Sequence, residues 1–171
     1  MILQTQRLTL RPLADADAAA MHAIMSDVEV MAHWDIDAIE DPDLTGLIVG
    51  AQVREAARDE GFYWAVTRLD DGAFLGCADL SDLDRWHQRA EIGFIFGRHA
   101  WGQGYGLEAM RSVVVQAAAM DLRRLTARTH VGNLKSEALL TKLGFEIEGY
   151  LRGHIQRGGE RRDCRIWGLL L

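Results

Sequence analysis

Apolar and polar positions alternate along RLTLRPL, residues 7–13, the period-2 pattern of a half-buried strand, and Pro12 ends it. The period then lengthens. ADAAAMHAIM, residues 16–25, predicts a helix that Asp15 can cap, and Asp41-Pro42 starts a second, a cap followed by proline in the first turn. That helix is expected to run to about Asp59, with Gly61 closing it. Alternation returns in FYWAVTRL (62–69), AFLGCADLSDL (73–83) and RAEIGFIFG (89–97), with a turn at Asp70-Asp71-Gly72; these three read as an antiparallel meander. Leu107 to Met120 is helical, with Val113, Val114 and Ala117 on one stripe. RRLTARTH (123–130) alternates, NLKSEALLTKLGF (133–145) is a short helix stopped by Gly144, and FEIEGYLRGHI and RRDCRIWGLLL form a final pair of strands near a Gly158-Gly159 turn. Seven strands and four helices without regular βαβ alternation predict an α+β fold with a mixed sheet.

Composition narrows the class. A chain of 171 residues, 49% apolar and 26% charged, suits one soluble globular domain, residues 1–171. The apolar stretches are too short or too interrupted to cross a bilayer, and no secretory signal is expected from MILQTQRLTLRPL. Cys77 and Cys164 lie far apart and outside any metal-ligand spacing, so a reducing cytoplasm is expected, with both as small buried strand residues. Charge is uneven. Residues 1–95 hold 18 acids and 7 bases; residues 96–171 hold 7 acids and 12 bases. Such asymmetry is either solvated surface or a sign of two ligands of opposite charge. Arg157, Arg161, Arg162 and Arg165 make only a local basic patch, and the negative net charge disfavours nucleic acid.

Chemistry concentrates in WGQGYG, residues 101–106, between a strand and a helix. Glycines there let a ligand approach bare backbone amides, and the helix dipole adds positive potential, so the ligand is expected to carry phosphate. No Lys-Ser or Lys-Thr follows, which removes a P-loop. Gly102 and Gly104 fit the start of G-x-G-x-x-G, but the third position is Leu107 and the loop follows a meander, which disfavours a dinucleotide fold.

AEIGFIFGRHAWGQGYGLEAM resembles the pyrophosphate-binding motif of the GNAT N-acetyltransferase superfamily, with Gly104 and Gly106 at its two small positions. Trp101 stands where Gln or Arg is usual. The run from Trp101 to Ala109 is similar to the Rim-type branch that acetylates ribosomal-protein N-termini. NLKSEALLTKLGFEIEGYLR resembles the family's second motif, with Asn133, Ser136, Gly144 and Phe145 at its spacing; both chain ends resemble the branch too.

The resemblance implies a mostly antiparallel central sheet of about seven strands flanked by about four helices, and an acetyl-CoA-dependent N-acetyltransferase that needs no metal. It implies that an amine attacks the thioester directly, with acetyl-CoA as cosubstrate. The amides of Gln103, Gly104, Tyr105, Gly106 and Leu107 would hold the pyrophosphate beside Trp101. The strand of Phe94, Ile95 and Phe96 would pair with pantetheine, and an amide of Phe94 or Ile95 would polarise the carbonyl. Asn133 is a helix cap, a pantetheine partner, or both. Arg98 and His99 are candidates for the CoA phosphates or solvated loop. Many relatives place a general-acid tyrosine seven residues after the asparagine; here that position is Leu140, so Ser136 or water must protonate the thiolate. Glu91, amid apolar neighbours, is the candidate base, ahead of His87 and His130. The resemblance places the acceptor wall on the first two helices and the middle strands, where Asp35 and Asp37 with Trp34 would suit a cationic amine such as a peptide N-terminus or a polyamine. A CoA-binding regulatory module without catalysis is the alternative function, and a monomer or homodimer is expected.

Overall fold

The computed structural model describes residues 1–171. The strands are β1 (Leu3–Gln4), β2 (Leu8–Pro12), β3 (Phe62–Arg68), β4 (Phe74–Asp84), β5 (Arg89–Phe96), β6 (Arg124–His130), β7 (Glu146–Arg157) and β8 (Glu160–Leu170). They form one eight-stranded sheet in the order β1-β2-β3-β4-β5-β6-β8-β7. The α-helices are α1 (Ala18–Met25), α2 (Pro42–Ala57), α3 (Tyr105–Ala119) and α4 (Leu134–Lys142). The expected α+β class holds, with the short β1 as an eighth strand.

Alternation along the strands splits the core between two faces. Leu10, Val66, Leu80, Ile92 and Phe96 pack against Met110 and Val113 of α3 and Leu140 of α4. Tyr63, Ala65, Cys77 and Ile95 point the other way, onto Met21, Ile24 and Met25 of α1 and Val49 of α2. Each fully buried Leu, Ile or Val contributes about 1.5–3 kcal/mol of transfer free energy. Both cysteines are buried and unbridged, as expected.

Local chemistry sets the helix ends. Asp41 caps α2 by accepting from the Asp43 amide at 2.9 Å, with Pro42 at the first helical position. α2 stops before the expected Gly61, because Asp59 already turns the chain with φ +55°. α3 begins two residues earlier than expected, since Gly104 at φ +79° is its N-cap. Asp15 lies in a short 3-10 turn ahead of α1, and α1 has no side-chain cap. Ile166 to Leu170 of IWGLLL lie in β8, between β6 and β7, so their backbone is paired within the chain; β1 and β7 are the edges of the sheet.

One pairing differs from all the others. β5 and β6 run parallel, and they are in register only over Arg89–Arg124, Ala90–Leu125 and Glu91–Thr126. β4 stays paired with β5 as far as Phe96, while β6 turns away to meet β8. The sheet therefore opens after Glu91.

Candidate active site

Strand alternation fixes which backbone groups of β5 face the opening. The Ala90 carbonyl accepts from Thr126 Oγ1 of β6 at 3.4 Å, and the Phe96 carbonyl accepts from Trp101 Nε1 at 2.8 Å. The Gly97 amide instead donates to Leu75 on the β4 side. Phe94 shares the parity of Ala90 and Phe96, so its N–H and C=O point into the opening and those of Ile95 do not. Of the two amides considered for polarising a carbonyl, only that of Phe94 has the right direction. The Phe94 and Phe96 side chains belong to the core on the α3 side, and Ile95 to the core on the α1–α2 side.

The opening leads into a cleft of about 670 Å³ between the end of β5, the glycine loop and α4, with Val30 to Trp34 along one wall. At its loop end, the amides of residues 102–107 donate to no acceptor in the protein; the first bond of the helix is Glu108 N–H to Gly104 C=O. Six free donors at the start of a fifteen-residue helix form an anion site of the kind a pyrophosphate fits. Trp101 pins this loop to β5 through its indole N–H, and Lys135 Nζ lies 3.8 Å from its ring centroid. Gln103 turns its side-chain amide onto the His99 carbonyl at 2.7 Å, which leaves its backbone N–H free. Tyr105 is buried under Arg7, whose guanidinium lies 4.6 Å from the ring centroid, and Leu107 lines the cleft. Glu108, at the dipole's positive end, accepts from Thr5 and from both the backbone and side chain of Arg7, and so ties the N-terminus to α3.

α4 supplies the opposite wall. Asn133 caps it by accepting from the Ser136 amide at 3.3 Å, and both residues line the cleft. Leu140 is fully buried in the core, so that position faces away from the chemistry. Arg98 and His99 are occupied elsewhere: Arg98 pairs with Asp27 and Glu29, and His99 contacts the Phe74 carbonyl. Lys135 and Lys142 are the lysines that line the cleft, Lys135 in the first turn of α4 beside Trp101 and Lys142 in its last, and their places in a helix gave no sign of this.

The α1–α2 side of the opening is polar. Trp34 and His33 line the cleft; burial lowers the His33 pKa, with the nearby His130, Arg162 and Arg157 acting in the same direction. Asp35 accepts from Arg128 at 2.7 Å and from His130 Nε2 at 2.8 Å, and against the burial that would raise it, these partners hold its carboxyl below the usual range. Asp37 is paired with Arg157 at 2.7 Å. These two acids are thus neutralised within the chain, which removes them as a free anionic wall. Glu91 is half-buried with its pKa raised by burial, which Arg128 opposes; Arg89 pairs with Asp82 and Asp84 instead of Glu91. His87 lies in the β4–β5 turn, where its amide donates to Asp84. Asp79 was not among the sequence candidates. Burial pushes its carboxyl up to about 7, and repulsion from Glu91 and Glu55 adds to this.

A sheet opened beside a cradle of free amides offers a ligand both unpaired strand backbone and a site for an anion. The model of the acetyltransferase (GNAT) domain family matches residues 7–146, and the chain belongs to that family. It is 29% identical over 170 residues to the uncharacterized N-acetyltransferase YoaA of Bacillus subtilis (strain 168), an alignment that covers 99% of this chain and 96% of that protein. It is 29% identical over 104 residues, 60% of this chain and 54% of the relative, to the [ribosomal protein uS5]-alanine N-acetyltransferase of Escherichia coli (strain K12). The solved structure of RimL, described as a ribosomal L7/L12 alpha-N-protein acetyltransferase in complex with coenzyme A, superposes with a TM-score of 0.91 at 17% identity, covering 100% of this chain and 98% of that one. The chain is an acetyl-CoA-dependent N-acetyltransferase with Rim-like relatives.

Proposed function

We propose that the chain, acting as one catalytic domain over residues 1–171, moves the acetyl group of acetyl-CoA to a primary amine by direct attack in a ternary complex. The amine is that of a peptide or protein N-terminus, or of a small molecule. The observation that carries this reading is the opening after Glu91, where the Phe94 backbone faces a cleft that runs to six free amides. In this reading the amides of Gly102 to Leu107 bind the pyrophosphate, and Lys135 adds a cation beside them. Pantetheine then lies along β5 and pairs with Phe94 C=O, which brings the thioester carbonyl to Phe94 N–H. That donor stabilises the oxyanion as the tetrahedral centre forms. Asn133 orders α4, and the Ser136 hydroxyl protonates the departing thiolate. Trp34 packs against the acceptor, which enters from the α1–α2 side. A peptide N-terminus is the favoured class, from the acceptors named for the uS5 and L7/L12 relatives.

The test is CoA thiol release from acetyl-CoA, with N-terminal peptides in one arm and polyamines and amino acids in the other. Turnover in either arm, with mass spectrometry placing the acetyl group on nitrogen, is the expected result. No turnover with any amine, despite tight acetyl-CoA binding, would overturn the reading.

A further inference from the structure

Across the middle of the sheet, Tyr63 of β3, Asp79 of β4 and Gly93 of β5 are aligned in register. All three positions face the α1–α2 side. Gly93 has no side chain, and Asp79 leans over it: the two carboxyl oxygens lie 2.5 and 2.8 Å from where a Gly93 Cβ would stand. A residue larger than glycine would displace that carboxyl. Gly93 immediately precedes Phe94, whose N–H faces the opening. Asp79 is therefore one strand position from the amide that would polarise the thioester. Glu91 is three positions back along β5, about 10 Å at ~3.3 Å per residue.

The surroundings differ as well. Arg128 acts on Glu91 and favours its charged form. Asp79 has the Ser81 hydroxyl as its side-chain partner at 3.1 Å and takes part in no ion pair; the groups facing it are Tyr63 and Cys77 of the sheet, Glu55 of α2 and Glu91. Tyr63 is turned aside, with its hydroxyl donating to Glu55 at 2.5 Å. Asp79 is half-buried and keeps a path to solvent.

We infer that Asp79, held over Gly93, is the general base that takes the proton from the acceptor's ammonium group. The inference rests on the N-acetyltransferase reading above. The ammonium gives one proton to the Asp79 carboxylate and becomes a neutral amine. The nitrogen lone pair forms the C–N bond at the thioester carbonyl, and the carbonyl electrons move onto oxygen. They return as the C–S bond breaks and the thiolate leaves with its electron pair. The second nitrogen proton goes to that thiolate by way of Ser136 or water, and Asp79 returns its proton to solvent. Glu91 acts on Asp79 only through its charge, which raises the pKa of the Asp79 carboxyl, while Arg128 is held by Asp35. A base with a pKa near the working pH is ionised often enough to act and basic enough to accept.

The experiment compares wild type, Asp79→Asn, Asp79→Glu and Glu91→Gln, using the best acceptor from the thiol-release screen. Asp79→Asn is expected to lose about 10²–10³ in kcat. The acidic limb of its kcat/KM profile, near pH 7 in wild type, should vanish, while acetyl-CoA affinity measured by calorimetry stays within about threefold. Asp79→Glu should recover part of the rate with a shifted limb. Glu91→Gln should lower the rate but keep the limb. If Asp79→Asn is folded, binds acetyl-CoA and retains the limb, Asp79 is not the base; the same holds if Glu91→Gln abolishes it. A wild type inert with every amine would instead defeat the transferase reading itself, so the two failures are distinct.

Discussion

A carboxyl with its pKa pushed up to about 7 costs the fold stability wherever it is ionised. In the unfolded chain an aspartate loses its proton near pH 4. Between there and pH 7 the folded protein holds a proton that the unfolded chain has released. Stability therefore falls as pH rises through this window, and the penalty is complete above it. Three pKa units correspond to roughly 4 kcal/mol, which the solvent contact of Asp79 reduces to a few. Asp79→Asn should accordingly melt about 4–10 °C higher than wild type at pH 8, and within about 2 °C of it at pH 4. Calorimetric scans at the two pH values check this, and equal melting at pH 8 would show that the ionised carboxyl is not costly. A variant that is more stable but less active is what a destabilised functional group produces. In CADLSDL, Asp79 reads as one polar position of an alternating strand. Its meaning depends on the β4–β5 register that sets it over Gly93, a pairing between segments that no local pattern specifies. Ser136 and Asn133, by contrast, sit in a motif that a helix cap makes recognisable.

At the scale of the element, the glycine loop and α3 act as one unit. Gly104 is left-handed at φ +79°, so replacing it strains the backbone whether or not a ligand is bound. Gly102 is the cleaner probe. Its φ is +72°, a conformation that Asn and Asp tolerate best among side chains, and a Cβ there meets nothing within 4 Å. Gly102→Asn and Gly102→Asp have the same shape and differ by one charge. A carboxylate about 6 Å from a bound pyrophosphate costs roughly 1.5–3 kcal/mol at an effective dielectric of 20–40. Gly102→Asp should weaken acetyl-CoA at least about tenfold relative to Gly102→Asn, and less so in high salt. Equal affinities by calorimetry would mean that the loop does not hold the phosphates. Most elements were legible because their signals are local: Asp41-Pro42 starts α2, Gly144 ends the last helix, and Gly158-Gly159 turns β7 into β8. The opening between β5 and β6 was not legible from alternation. β5 ends in the apolar run Ile92 to Phe96 and β6 alternates almost to its end, and neither pattern marks where β6 leaves β5 while it stays paired with β8.

The whole molecule shows where the charge asymmetry goes. Acids of the first half are paired with arginines of the second: Asp35 with Arg128, Asp37 with Arg157, and Asp27 and Glu29 with Arg98. Four of the eighteen acids in residues 1–95 are tied in this way to arginines of the second half, and these ties hold the α1–α2 segment against the later part of the sheet. Arg157 is the strongest of these ties. Its Nη1 donates to the carbonyls of Met31, Ala32 and Trp34 at 2.6, 3.1 and 3.0 Å, while Nε donates to Asp37; Arg162 adds a bond to Ala32. The arginine side chain is only 9% exposed, so its removal leaves carbonyls with no replacement donor but entering water, at a cost of about 2–3 kcal/mol. The segment it holds carries His33 and Trp34 into the cleft. Arg157→Ala should therefore speed amide exchange across residues 31–37 and raise the acceptor KM about tenfold. Acetyl-CoA affinity should change far less, because the amide cradle lies at the other end of the cleft. Arg157→Lys can reach the carbonyls or Asp37 but lacks the fork to serve both, so it should recover only part of the loss. Equal losses in acceptor and acetyl-CoA binding would mean that the segment supports the whole cleft rather than the acceptor wall alone.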